Sequence, residues 1–120
     1  MVDEGYAFDF LSILEIKMKK NCNDIRHKIN FERCVKELIQ EIGKDLFFRI
    51  IESTEYKNLL NSNIKTYDAV EMAKTDDVSA SYVDSCNFER YVCKRRLMDV
   101  YFKDDVMTEI KIGEYFDEKS

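Results

Sequence analysis

The chain has 120 residues, 45% of them hydrophobic and 36% charged, a balance that excludes a disordered chain. One domain over residues 1–120 is predicted, its core spanning about residues 8–102. The formal charge of −5, from 24 acidic and 19 basic residues, argues against a general nucleic-acid coat, and no apolar run reaches the length of a membrane span.

With no proline and three glycines, the chain lacks the turn formers that a sheet-rich fold of this size needs. The predicted fold is therefore all-α: an antiparallel bundle of three to four helices with a short C-terminal extension. The first helix is expected from Phe8 to Lys20, with Leu11, Leu14 and Met18 as its apolar stripe. The NCND segment after Lys20 reads as a turn. A second helix begins between Ile25 and Phe31 and continues to Glu52. Phe31, Val35, Leu38, Ile42 and Leu46 fall on one arc of it, and Gly43 lies off that arc, tolerated at some cost. The FFRII stretch is apolar nearly all round. Phe47, Phe48, Ile50 and Ile51 are therefore either central in the core or covered by a partner, a homodimer being one form of that cover.

Ser53 or Thr54 caps a third helix, from Glu55 to Lys74, whose inner face is Tyr56, Leu59, Leu60, Tyr67 and Val70. Ser81 with Asp84 reads as a capping box opening a fourth helix to Phe102. In the tail, MTEIKIG alternates well enough to leave strand open beside a short helix.

The letters NFER occur twice, from Asn30 and from Asn87. The copies differ in phase, so the repeat is read as coincidence. Phe31 sits at the middle of an apolar stripe. In the fourth helix, with Val83 at zero, Leu97 falls at about 320° and Tyr101 returns to about 0°. Asn87, Arg90 and Lys94 then fall at about 40°, 340° and 20°, within the apolar face. Buried amides and charges need partners. Glu15 or Glu71 could pair with Arg90 or Lys94, Asn63 could face Asn87, and Ser12 is a further polar group on the first helix. Two readings follow: an internal network that fixes helix register, or a pocket in which Arg90 and Lys94 meet a small anion.

Catalytic signals are sparse. Glu37, Glu41 and Asp45 recur at four-residue spacing, which suits Mg²⁺ in a nucleotide or phosphate-ester hydrolase, but the second acidic motif of such enzymes is missing. A solvated flank is the preferred reading of these three. Glu-x-x-His pairs for iron are absent, and the lone His27, near Cys22, has nothing to orient it as a base. Cys22, Cys34, Cys86 and Cys93 form no C-x-x-C and are read as free intracellular thiols. Lys17, Lys19, Lys20, Arg26 and Lys28, with Lys94, Arg95 and Arg96, make a basic patch that could meet an acidic partner or phosphate. No cofactor is called for.

The stretch FDFLSILEIKMKK resembles the opening of small, poorly characterised helical families that begin with an Asp-x-Leu/Ile-Ser/Thr-Ile-Leu-x-Ile-Lys helix. Asp9, Leu11, Ser12, Ile13, Leu14, Ile16 and Lys17 are the matching positions. Those families later carry an Asn-containing helix and an Asn-x-x-Arg-x-x-x-Lys helix, which Asn63 and then Asn87, Arg90 and Lys94 resemble. This chain lacks the Pro-Gly-Glu entry and the Arg after the first Asp seen in one of them. The resemblance implies a helical fold and no activity.

Taken together, the residues predict a non-catalytic interaction or assembly module, self-associating or binding another protein, in preference to an enzyme. The Mg²⁺-dependent hydrolase and the small-anion-binding domain are the alternatives. The start of the chain lacks the basic residues and apolar run of a signal peptide, so a cytoplasmic or other intracellular place is expected. The small, Lys/Asn-rich composition would suit a viral or phage source, hence a host cell.

Overall fold

The computed structural model describes residues 4–102, and the expectations for the tail lie outside them. Those residues form the predicted all-α bundle, with five helices rather than three or four and no strand among the described residues: α1 Glu4–Lys20, α2 Ile25–Ile42, α3 Lys44–Ile51, α4 Thr54–Ala73 and α5 Ala80–Tyr101.

Local chemistry sets the helix starts. The Asp24 carboxylate accepts from the Arg26 backbone N–H at 3.0 Å and also binds the Arg26 guanidinium, capping α2. Those Arg26 side-chain hydrogen bonds, more than the backbone bond, hold the Asp24 carboxyl at about 2. Of the two expected cap candidates Ser53, not Thr54, caps α4, accepting from the Tyr56 N–H at 3.1 Å. For α5 the cap is Ser79, which accepts from the Tyr82 N–H, and not Ser81, which lies inside the first turn. With the helix starting at Ala80, Ser81 is itself helical, so it has no N-cap place and the Ser81–Asp84 box does not form.

The expected single second helix is broken at Gly43. Its backbone has φ 90° and ψ 154°, a conformation that L side chains rarely adopt, and its N–H closes α2 on the Ile39 carbonyl at 2.8 Å. The interruption turns α3 so that Phe47 and Ile50 enter the core while Phe48 stays exposed.

Phe8 is the hub of the apolar core. Its ring lies 6.0 Å from Phe47, 6.2 Å from Tyr56 and 6.2 Å from Phe102. Leu11, Leu38, Ile50, Leu59 and Leu97 complete this cluster. Phe31, Val35, Ile42 and Leu46 pack against it half-buried. Burial of an aromatic of this kind stabilises by about 2–3 kcal/mol.

Helices α4 and α5 make the most extensive contact in the bundle. Small buried side chains permit it. Ser62, Thr66 and Ala69 lie along one face of α4, and the Thr66 hydroxyl lies 3.2 Å from the Cys86 carbonyl on α5. Val70, expected on the inner face, is 39% exposed.

Candidate functional site

Three helices converge on one carboxylate. Asp9 on α1 is buried, although a charge there is costly unless it is paired. Arg90 on α5 supplies the pairing: its Nη2 donates to Asp9 Oδ2 at 2.7 Å and its Nε to Oδ1 at 3.3 Å. Asn63 on α4 donates from one Nδ2 to Asp9 Oδ1 at 2.9 Å and to the Ser12 hydroxyl. Ser12 in turn donates to the Asp9 backbone carbonyl at 2.7 Å. Every member therefore has partners, which is the condition for a buried polar layer to persist. The fork of two N–H bonds fixes the guanidinium plane as a lysine could not.

Asp9, Asn87, Arg90, Tyr91 and Lys94 line an open groove of ≈ 200 Å³ on the outer side of this layer. Lys94 sits 5.9 Å from the Tyr6 ring centroid, a cation–π contact between α5 and α1. Tyr6 stacks on Phe10 with centroids 6.5 Å apart, and Phe88 lies 6.5 Å from Tyr91. These four aromatics are 49%, 44%, 67% and 55% exposed; Tyr91 lines the groove itself and Tyr6 meets its Lys94.

Of the residues singled out in the sequence, Arg90 and Asn63 meet in one network and Lys94 and Asn87 border it. Asn63 does not face Asn87. Asn87 is exposed and its amide donates to the Val83 carbonyl of its own helix. The buried line of α5 runs through Cys86 and Leu97, rotated by about 40° from the predicted centre, which carries Asn87 to the surface. Glu15 and Glu71 do not pair with Arg90 or Lys94. Glu15 accepts from the Tyr56 hydroxyl at 3.2 Å and from Lys19 at 2.9 Å. Burial, reinforced by Glu15, pushes the Tyr56 hydroxyl far above its ordinary value. Glu71 pairs with Lys74 at the surface.

Two residues of the site were not found from composition or phase. Asp9 lies between Phe8 and Phe10 and reads as a surface carboxylate near a helix start. Its spacing of three from Ser12 and seven from Ile16, both buried, is the signal that could have found it. Tyr6 precedes the predicted helix start and so was given no face.

Of the two readings of FFRII, the core one holds for Phe47 and Ile50, at 1% and 0% exposure, and their place among the interface candidates is corrected. Phe48 is exposed and Ile51 half-buried. Glu37, Glu41 and Asp45 are exposed, and among the described residues no three His, Cys, Asp or Glu side chains are grouped to hold a metal. The four cysteines carry free thiols, and burial raises the Cys34 thiol above its ordinary range. Within the basic patch Lys20 pairs with Asp68 and Arg26 with Asp24, which reduces its net positive charge. No described helix is long and apolar enough to cross a membrane.

Comparison with protein-family models, with curated proteins and with solved structures gives no match.

Proposed function

We propose that the chain is a non-catalytic interaction module that self-associates through the α1/α5 face. The observation that carries this reading is the exposure of two ring pairs, Tyr6 with Phe10 on α1 and Phe88 with Tyr91 on α5, of which Tyr91 lines the groove. Aromatic side chains bring large apolar area at low entropic cost, and clusters of them at a surface anchor protein contacts. The Asp9–Arg90–Asn63 layer beneath gives that face a rigid base, because it ties α1, α4 and α5 together. Asp9 already neutralises Arg90, which favours docking over capture of a small anion by that guanidinium.

The test is sedimentation velocity across a concentration series, on the unaltered chain and on a Phe88→Ser/Tyr91→Ser variant. The unaltered protein is expected to gain mass with concentration. The variant is expected to remain monomeric with an unchanged thermal melt, since neither ring is buried. A chain that stays monomeric throughout overturns self-association.

A further inference from the structure

The exposed face of α5 has an order that constrains how a second copy can sit on it. Asp84, Phe88, Tyr91 and Arg95 follow one another at spacings of four, three and four residues, which places them in one stripe along the helix. The stripe is about 16 Å long at the rise of an α-helix. All four residues are exposed. Its acid stands at one end, its base at the other, and its two aromatics between them. Neither Asp84 nor Arg95 makes an ion pair among the described residues, whereas Glu89, off the stripe, is already paired with Lys65 at 3.0 Å.

The stripe is also symmetric about its middle. Asp84 and Arg95 are equidistant from the point midway between Glu89 and Arg90, and so are Phe88 and Tyr91. A two-fold axis through that point, perpendicular to the helix, lays a second α5 antiparallel on the first. Under that operation each residue meets the one at the mirrored position, as an isologous contact requires. Asp84 of each copy then faces Arg95 of the other, and Phe88 of each faces Tyr91 of the other. The parallel alternative sets Asp84 against Asp84 and Arg95 against Arg95, so the charges select against it.

We infer that the chain forms a two-fold dimer with its α5 helices antiparallel, closed at both ends by Asp84–Arg95 pairs and filled between by Phe88 and Tyr91. This deepens the self-association reading and rests on it. The partner is a second copy because one surface supplies both halves of each charge pair and of each aromatic pair.

Charge reversal tests the arrangement. Asp84→Arg sets two arginines against each other at both ends of the dimer, and Arg95→Asp does the same with two aspartates. Each single variant is expected to dimerise more than about tenfold more weakly than the unaltered chain. The two single variants mixed are expected to form a heterodimer at near the original strength, because every end then has opposite charges. The double variant Asp84→Arg/Arg95→Asp is expected to dimerise with itself for the same reason. Circular dichroism melts confirm that each variant is folded. If the unaltered chain dimerises and the reversals leave its dissociation constant unchanged, the antiparallel α5 arrangement is overturned while self-association stands. If single reversals weaken the dimer and neither the mixture nor the double variant recovers it, the pairing of Asp84 with Arg95 is overturned. If the unaltered chain is monomeric, both readings fail.

Discussion

Phe8 and Asp9 are neighbours in sequence, both buried on α1, and they stabilise the bundle in different ways. Phe8 faces a cluster of rings and aliphatic side chains from α3, α4 and the end of α5. Its contribution grows with area, and no partner needs a particular angle. Asp9, about 100° further round the helix, faces Asn63 and Arg90, where each bond has a direction and a loss on one side strands the other. The apolar half supplies most of the driving force. The polar half dictates which helix face meets which. A bundle held by rings alone could rotate α5 by a fraction of a turn, but the Asp9–Arg90 fork allows one register.

The largest effect that separates the two halves is expected from Phe8→Ala. It should lower unfolding free energy by about 3–5 kcal/mol in a denaturant titration, through lost transfer energy and the cavity left behind. Next comes the polar half. Asp9→Leu strands the Arg90 guanidinium and half of the Asn63 amide, at about 2–3 kcal/mol, moderated because the Arg90 side chain keeps 31% of its exposure and reaches water. The double variant Asp9→Leu/Arg90→Leu is expected to recover more than about half of that loss, since an apolar pair replaces a charge pair at little net cost. No second substitution beside Phe8→Ala has a matching effect, because area has no partner to remove. A double variant no better than Asp9→Leu alone would put Asp9 in the same class as Phe8.

Gly43→Ala should cost about 1–2 kcal/mol, all of it backbone strain. A Cβ built there meets nothing within 4 Å, so sterics outside the chain's own dihedrals contribute nothing. The loss belongs to the apolar half, since Gly43 aims α3 and its Phe47. The smallest effect is acid loosening of the start of α2. Asp24 has a folded value of about 2, below its ordinary 3.8, because of the Arg26 bonds. Its stabilisation is complete above the ordinary value and is lost as pH falls through about 2. Amide exchange in the first turn of α2 should therefore accelerate over that window.

Much of the fold was legible. Apolar residues at three- and four-residue spacing defined α1 and α4 to within a few residues, and Ser53 or Thr54 announced a helix start, because these features are local. Gly43 was misjudged since nothing in the flanking apolar arc separates a tolerated helical glycine from one with positive φ. The site was half legible. Arg90 and Asn63 stood out as polar groups on apolar faces, a conflict visible in one helix at a time. Asp9 did not, because its burial depends on two helices whose residues lie 54 and 81 positions further along the chain. The phase of α5 slipped because Val83 and Tyr101 served as guides, whereas Cys86 and Leu97 mark the buried line.

Those sequence separations also set an order of assembly. α4 and α5 are joined by a short link and form the broadest helix contact, so they can zip together as a hairpin at low loop-closure entropy. α1 must return across most of the described chain before Asp9 can meet Arg90. Docking of α1 onto the formed hairpin is then expected late on the way to the native state, which stopped-flow folding of an Asp9→Leu variant would check. The fork acts as a latch on an already closed door: its removal should speed the opening of the bundle far more than it slows the closing.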